Sequence, residues 1–188
     1  MGLYHCSLVF KVLFAAALIY ACPAAAQQLV DLELVLAVDI SSSVSREEYE
    51  LQMGGLAGAF RDPTVVAAIR AAGDLGVAVA LIQWSDNRRQ FVSVDWALLR
   101  DRASARSFAD EIAAAPRLVI AGGGTAIGGA LKFGAAQIEE NRYIGLRAVI
   151  DVSGDGRTNQ GWPDRPLRDA AVARGITING LVILNEEP

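Results

Sequence analysis

The stretch Leu-Glu-Leu-Val-Leu-Ala-Val-Asp-Ile-Ser-Ser-Ser, residues 32–43, joins an apolar run to a group of oxygen-bearing side chains. Its first part is rich in Val and Leu, which is typical of a strand buried on both faces of a parallel sheet. Asp39, Ser41 and Ser43 follow at a spacing of two residues. In extended backbone that spacing points all three side chains the same way. The stretch therefore predicts a buried strand whose carboxyl end presents three oxygen ligands.

Further apolar runs with the same character occur along the chain. Leu75–Trp84, Leu146–Ser153 and Ile176–Leu184 are rich in Val, Ile and Leu and lie between turn signals and helix-like stretches. Together with Leu32–Ile40 they predict four buried parallel strands. Arg89–Trp96 mixes apolar and polar residues, which favours an edge strand a short turn after the second run.

Apolar residues at helical spacing fill the intervals between these strands. The best-marked helix follows Ser45, a predicted N-cap with Glu48 three residues later. The other predicted helices are Asp101–Ala115, the segment marked by Ile127, Leu131 and Ile138, and Pro166–Arg174, which ends before Gly175. Because strands and helices alternate, we expect an α/β fold: a doubly wound, mostly parallel sheet with helices on both faces.

Polar residues follow the predicted strands where each strand ends. Asp39 follows the first strand, Ser85 and Asp86 follow the second, Asp155 follows the third central one, and Asn185 follows the last. In sheets of this kind the binding crevice lies beyond the carboxyl ends of the strands. We therefore expect the functional site at this edge of the sheet.

Residues 1–26 differ from the rest of the chain. Lys11 precedes the apolar run Val12–Ala21, and Ala24-Ala25-Ala26 follows as a small-residue cleavage signal. The run is about half the roughly 20 residues that a membrane span needs, so a secretory signal peptide is predicted. The protein is then periplasmic or secreted. Lipid attachment at Cys22 is an alternative, although Tyr20 is bulky for such a site.

Residues 27–188 are predicted to be one exported domain with neither cysteine nor histidine, because Cys6, Cys22 and His5 precede the cleavage point. This composition excludes disulfides, catalytic machinery that needs histidine, and zinc sites with His or Cys ligands. Only Lys132 would remain as a lysine. The available chemistry is limited to carboxylates, hydroxyls, amides and arginines, which favours a hard cation with oxygen ligands.

The charge and the hydropathy of the chain bear on nucleic acid as a partner and on insertion into a membrane. Cleavage removes Lys11 and no acidic residue, so the formal charge of −4 becomes −4 − 1 = −5. A net negative chain argues against nucleic acid as a partner. No transmembrane span is expected after cleavage, and the sequence does not predict an oligomeric state.

Three separated stretches supply the side chains of a predicted metal site. It has two carboxylates and three hydroxyls: Asp39, Ser41, Ser43, Thr125 and Asp155. Thr125 follows three glycines at 122–124, which permit close approach of the backbone. These groups cannot neutralise and fill a divalent ion without water or an outside ligand. Mg²⁺ is the predicted ion, because it accepts six short bonds and retains waters; Mn²⁺ and Ca²⁺ are alternatives.

At these residues the chain resembles the von Willebrand factor type A (VWA) domain and its metal-ion-dependent adhesion site. That site consists of Asp-x-Ser-x-Ser, a distant Thr and a later Asp, matched here by Asp39-x-Ser41-x-Ser43, Thr125 and Asp155. The resemblance covers residues 31 to 185 and implies a Rossmann-like fold. It also implies that the two serines bind the metal directly, the threonine directly or through water, and the aspartates largely through water. A carboxylate from a protein partner would complete the shell, so a non-enzymatic binding function is implied.

The stretch Gly154–Gly161 is also similar to an exported subgroup of uncharacterised bacterial proteins with this domain. Two departures from the VWA pattern are visible. Gly154 stands where threonine is common, and the family continues past the fifth long strand with another strand and a final helix. The sequence therefore predicts either a fragment or a sheet with an uncovered edge.

Two other functions compete with metal-dependent binding. Gly154–Asn159 resembles the acidic motif of haloacid-dehalogenase-type phosphatases, in which Asp39 would be the nucleophile. Ser41 and Asn159 stand where that motif requires carboxylates, and Lys132 lies within a predicted helix. The third alternative is a structural domain whose metal site is vestigial.

Several other polar and aromatic residues have simpler explanations. Asp86 is expected to form a turn or a salt bridge, and Asp151 is expected to pair with an arginine. Trp84 and Trp96 are expected in the core. Trp162 follows the Asp155 loop and is either a packing residue or an exposed anchor for a partner.

Overall fold

The structure is a computed structural model that describes residues 26–118 and 123–183. Several predicted features lie outside the described residues: the signal peptide up to Ala25, which includes Cys22; Gly122; and the end of the last strand at Leu184 with the polar residue Asn185. Seven strands and five helices occur in the described ranges: β1 Gln28–Val30, β2 Leu32–Asp39, α1 Arg46–Arg61, α2 Pro63–Ala71, β3 Val77–Trp84, β4 Gln90–Leu99, α3 Arg102–Ala114, α4 Ile127–Glu139, β5 Tyr143–Gly145, β6 Ala148–Gly154, α5 Asp164–Ala173 and β7 Ile176–Val182.

The main sheet has five strands in the order β4-β3-β2-β6-β7. All neighbouring pairs are parallel except β3 and β4, which are antiparallel. Strand β2 is central, with β3 on one side and β6 on the other. The registers of Asp39 with Trp84 and of Val38 with Ser153 place the carboxyl ends of the three strands side by side.

Helices cover both faces of the main sheet, as predicted. On one face, α1, α2 and α3 pack on apolar side chains of β2 and β3, with the rings of Phe60 and Phe108 edge to face at 5.0 Å. On the other face, α4 and α5 bury a second cluster that includes Trp84 and Trp96. Because β3 is buried along its whole length, its side chains serve both clusters. The predicted α/β fold with a doubly wound, mostly parallel sheet is confirmed.

The capping signal at the start of α1 is also confirmed. Ser45 Oγ accepts from the backbone N–H of Glu48, and the Glu48 carboxylate accepts from the backbone N–H of Ser45. This reciprocal cap starts the helix two residues after Ser43. The turn between β2 and α1 is therefore short and fixed at both ends.

Three features were not predicted from the sequence. Helix α2 follows α1 after the single residue Asp62, which caps it through the N–H of Thr64. Strands β1 and β5 form a separate two-stranded parallel sheet. Helix α5 begins at Asp164, before the predicted start at Pro166. Short elements of this kind carry too few residues for a clear apolar period.

The predicted partner of Asp151 is wrong. Its carboxylate accepts a hydrogen bond from Asn179 Nδ2 of the neighbouring strand β7, at 2.7 Å, rather than from an arginine. Strand β7 is the edge of the sheet within the described residues, and Leu181 and Val182 on it are exposed. In the same described ranges, no helix is long and apolar enough to cross a membrane.

Candidate metal centre

Asp39 ends β2 and is completely buried. One carboxylate oxygen, Oδ1, accepts a hydrogen bond of 2.7 Å from the backbone N–H of Ser41. This bond closes the chain into a tight turn directly after the strand. The turn brings the Ser41 and Ser43 hydroxyls together, with 3.1 Å between their Oγ atoms.

The Asp155 loop reaches this turn from the end of β6. Ser43 Oγ donates to Asp155 Oδ1 at 3.0 Å, although the two residues are 112 positions apart in sequence. Asp155 is half-buried and Ser43 is exposed, so the contact lies at the mouth of the site. Two of the three predicted stretches are therefore in direct contact.

The Thr125 loop lies against both of the other stretches. Asn159, from the Asp155 loop, donates its N–H to Thr125 O at 2.9 Å, and its Oδ1 accepts from the N–H of Thr125 at 2.9 Å. Ser42 Oγ donates to Gly123 O at 2.7 Å. Thr125 is buried, and its Oγ1 lies 3.9 Å from the point where a Cβ on Gly156 would stand. The fold thus brings all five predicted ligand residues to one edge of the sheet.

The second oxygen of Asp39, Oδ2, has no hydrogen-bond partner within the described part of the chain. A Cβ built on Gly154 would stand only 3.0 Å from it, so a side chain at position 154 would crowd this oxygen. An unpaired buried carboxylate oxygen costs free energy unless something satisfies it. Gly154 therefore lies next to the Asp39 oxygen that has no hydrogen-bond partner among the described residues.

The electrostatics of Asp39 favour a bound cation. Burial is the main cause that raises the pKa of Asp39 from 3.8 to about 6; the negative charge of Asp155 also raises it, whereas hydrogen bonds from Ser41 and the positive charge of Arg117 lower it. The negative charges of Asp39 and Asp155 repel each other in the absence of a positive charge. A bound divalent cation would offset both the cost of burying the Asp39 charge and the repulsion between Asp39 and Asp155.

The donor set of the site is suited to a hard cation. In residues 26–118 and 123–183, no cluster of three or more carboxylate, histidine or cysteine side chains could hold a metal. A metal held within these ranges would therefore need donors besides such a cluster, and the turn at Ser41 and Ser43 offers two hydroxyls. Oxygen donors of these types are the ligands of Mg²⁺, Mn²⁺ and Ca²⁺ rather than of softer ions.

The simpler roles predicted for Asp86, Trp84 and Trp96 are confirmed. Asp86 accepts from the N–H of Arg88 and forms an ion pair with Arg89 at 3.4 Å, so it serves the turn after β3. Trp84 and Trp96 are buried in the core. Trp162 is 54% exposed, and Lys132 Nζ lies 5.2 Å from its ring centroid.

Some residues that hold the site were not identified as such from the sequence. Ser85, at the end of β3, donates its Oγ to Gly124 O at 3.0 Å, and its backbone O accepts from the N–H of Ala126 at 2.9 Å. In the sequence, Asn159 stands out only as a mismatch to a phosphatase motif. Its position in the loop after Asp155 is the signal that could have identified it, because asparagine side chains commonly form hydrogen bonds with backbone groups in such loops.

The sequence model of a family described as "Protein of unknown function (DUF1194)" matches residues 29–188. The chain belongs to the DUF1194 family. The match covers most of the chain, including every predicted ligand residue. Comparison with curated protein sequences gives no significant match.

Solved structures place this DUF1194 chain among VWA-like folds. Proximal thread matrix protein 1 from the mussel byssus is 19% identical, with a TM-score of 0.62 over 82% of this chain and 38% of that one. In another structure of that protein, at 18% identity and a TM-score of 0.60, zinc occupies a MIDAS motif, that is, a metal-ion-dependent adhesion site. BatB from Bacteroides thetaiotaomicron is 23% identical, with a TM-score of 0.52 over 80% of this chain and 66% of that one.

A pilus adhesin also shares the fold. SpaC from Lactobacillus rhamnosus GG is 15% identical, with a TM-score of 0.58 over 84% of this chain and 25% of that one. This DUF1194 chain therefore spans well under half the length of the mussel protein and of the adhesin. At these identities the comparison shows the fold alone. The predicted VWA-like fold is confirmed.

The raised pKa of Asp39 predicts how stability depends on pH in EDTA. Because the folded-state pKa lies above the unfolded value, the contribution of Asp39 to stability is complete below about pH 4 and is lost as the pH rises through about 6. We expect Asp39→Asn to be more stable than the unchanged protein by about 1–3 kcal/mol at pH 7.5, because no charge is then buried. Urea unfolding measures this difference, which should vanish below pH 4.

The same titration in Mg²⁺ provides the control. There the order should reverse at pH 7.5, because only the unchanged carboxylate is stabilised by the ion. If Asp39→Asn is the less stable protein in EDTA at every pH, burial does not penalise this carboxylate.

Proposed function

We propose that this chain is a metal-dependent protein-binding domain that acts outside the cytoplasm. One observation carries the proposal: among the described residues, the buried Oδ2 of Asp39 has no hydrogen-bond partner at the place where three stretches of chain converge. Asp39, Ser41, Ser43, Thr125 and Asp155 would hold the ion. The domain is assigned to residues 27–188.

The spacing of the oxygens supports Mg²⁺ as the ion. Adjacent ligands of a six-coordinate Mg²⁺ ion, with bonds of about 2.0–2.1 Å, lie about 2.9 Å apart. The Oγ atoms of Ser41 and Ser43 are 3.1 Å apart, and Ser43 Oγ is 3.0 Å from Asp155 Oδ1. Small shifts of these side chains would place them on neighbouring ligand positions. When bound, the ion would supply an electrophilic position that can accept an oxygen ligand from outside.

The charge of the protein supports a partner that offers a carboxylate. The formal charge of the whole chain is −4, so its surface as a whole does not attract acidic groups. A metal with an open position would provide a local positive centre on a negative protein. Binding of an acidic side chain would then depend on the metal, and specificity would come from the surface around it.

Trp162 is the residue proposed to contribute to that surface. It follows the Asp155 loop, it is 54% exposed, and its ring packs beside the ammonium group of Lys132. Exposed tryptophans of this kind often act as anchors in protein interfaces. The combination of a metal and an adjacent aromatic ring suits a partner whose acidic residue lies near an apolar one.

Binding is a better account of the site than phosphate hydrolysis. Hydrolysis by the phosphatase mechanism needs a second carboxylate where Ser41 stands and a lysine near the nucleophile. Lys132 lies on α4, and its Nζ is 5.2 Å from the ring of Trp162. A byssus matrix protein and a pilus adhesin with the same fold also favour a non-enzymatic binding role.

Export is part of the proposal. Residues 1–26 have the pattern of a secretory signal peptide, and residues 27–188 contain no cysteine that oxidation could damage.

Calorimetry with Mg²⁺ tests the metal site. We expect one Mg²⁺ ion per chain at pH 7.5, and we expect Asp39→Asn and Ser41→Ala to weaken binding by at least about tenfold, since each removes a donor or its charge. Asp86→Asn is the matched control, because it removes a carboxylate from the neighbouring strand end and should leave the affinity within about twofold. Absence of binding by a folded, unchanged protein would favour the vestigial-site alternative.

A pull-down from the exported fraction of the source organism tests the binding function. A partner should be captured in Mg²⁺, released by EDTA, and lost with Asp39→Ala. Trp162→Ala should weaken capture while Mg²⁺ affinity is unchanged, because Trp162 is not a proposed ligand. Capture that is equal in Mg²⁺ and EDTA contradicts a metal-dependent mechanism, and Mg²⁺-dependent hydrolysis of a phosphomonoester that Asp39→Asn abolishes would favour a phosphatase.

A further inference from the structure

Arg117 contacts the predicted ligand turn from the side of the backbone. Its Nη2 donates to Val44 O at 2.6 Å and to Ser41 O at 3.4 Å. These two carbonyls bracket the turn that carries the Ser41 and Ser43 hydroxyls. Charge-assisted bonds to two carbonyls from one planar group fix both their positions and their orientation.

The side chain of Gln83 fixes the backbone on both sides of Arg117. The Gln83 side chain is fully buried in β3, where its Nε2 donates to Pro116 O and its Oε1 accepts from the N–H of Leu118, both at 3.0 Å. The residues immediately before and after Arg117 are thus pinned by one amide. A buried amide with donor and acceptor both used holds a unique backbone position, because any shift would leave a polar group unpaired.

Tyr49 supports the guanidinium from α1. Its ring centroid lies 5.4 Å from Arg117 Cζ, and its hydroxyl accepts from Gln83 Nε2 at 2.9 Å. The contact is a cation–π interaction that restricts the guanidinium to one side of the ring. Arg117 is therefore held by the core of the sheet and by α1 before it reaches the turn.

We propose that Arg117 is a positioning residue of the metal centre, which holds the Ser41–Val44 turn in the shape that the cation needs. Its effect on metal affinity rests on the proposed function, whereas its effect on the turn does not require a metal. Other bonds reach the same turn from the Thr125 and Asp155 loops: Ser42 donates to Gly123 O through its Oγ and its backbone N–H, and Ser43 Oγ donates to Asp155. Within the turn, the N–H of Val44 donates to Ser41 O at 3.1 Å, and Arg117 adds a charged donor to that carbonyl and to Val44 O.

The direction in which cation affinity changes when Arg117 is removed separates a positioning role from a simple effect of its charge. Arg117 is positive and close enough to Asp39 to influence its ionisation. If charge alone mattered, removal of Arg117 would strengthen cation binding, because a repulsive neighbour would be gone. If positioning dominates, removal weakens binding, because the hydroxyls are no longer held in place.

The test uses the full chain with Arg117→Met, Arg117→Lys and the control Arg61→Met. Arg61 pairs with Asp110 between α1 and α3 and is remote from the proposed ligands in sequence. In EDTA, Arg117→Met should speed amide hydrogen exchange of Val44 by about tenfold and leave Val66 and Ile69 of α2 unchanged. In calorimetry it should weaken Mg²⁺ binding by about tenfold, with Arg117→Lys between it and the unchanged protein.

Each outcome has a distinct meaning. Unchanged exchange at Val44, or Mg²⁺ binding that is unchanged or tighter in Arg117→Met, overturns the positioning role. A third outcome is faster exchange at Val44 in Arg117→Met, together with no Mg²⁺ binding by the unsubstituted protein. The faster exchange would support the role of Arg117 in fixing the turn, whereas the lack of Mg²⁺ binding would contradict the proposed function. If Arg117→Met does not fold, Arg117→Lys carries the same comparison, with a smaller change in the same direction.

Discussion

The structure depends on a carboxylate that is buried at the end of its central strand, where one of its oxygens has no hydrogen-bond partner in residues 26–118 and 123–183. Asp39 cannot move outward without breaking its bond to the N–H of Ser41, and its burial makes the ionised form costly. Folding that places such a group in the centre of a sheet is favourable only if something offsets the cost. In the proposed function, a cation bound by the neighbouring oxygens provides this compensation when Asp39 is ionised.

The fold provides this constraint through the order of its strands. Because β2 lies beside β6, the Asp39 turn and the Asp155 loop leave neighbouring strands side by side, and the Thr125 loop, which joins α3 to α4, lies against them. Ser42 connects the Asp39 turn to the Thr125 loop through Gly123, and Ser43 connects it to Asp155. Ser85 at the end of β3 connects the Thr125 loop to the sheet. The site is therefore a product of the parallel topology rather than of any one loop, which agrees with its placement at the carboxyl edge.

Much of this arrangement could be predicted from the sequence, and the reasons for the rest are physical. Strong periodicity and turn signals predict the long elements, and the rule for the carboxyl edge predicts that Asp39 and Asp155 lie close together. Thr125 follows no strand, and its place in the predicted site comes from the glycines before it and from the resemblance to the VWA domain. The partner of Asp151 was wrong because strand registers, which brought Asn179 beside it, cannot be read from composition. Gln83 and Arg117 were not singled out, because a glutamine in an apolar run gives no local sign of the distant backbone that it holds.

A crystal grown with Mn²⁺ at pH 7.5 gives the most direct measurement, because anomalous scattering locates the ion without assumptions about its ligands. The account predicts one strong peak within about 2.5 Å of both Ser41 Oγ and Ser43 Oγ, on the side of Asp39 and Asp155 and within reach of Thr125 through at most one water. A well-ordered crystal without a peak there, or with the ion held by other residues, would contradict it.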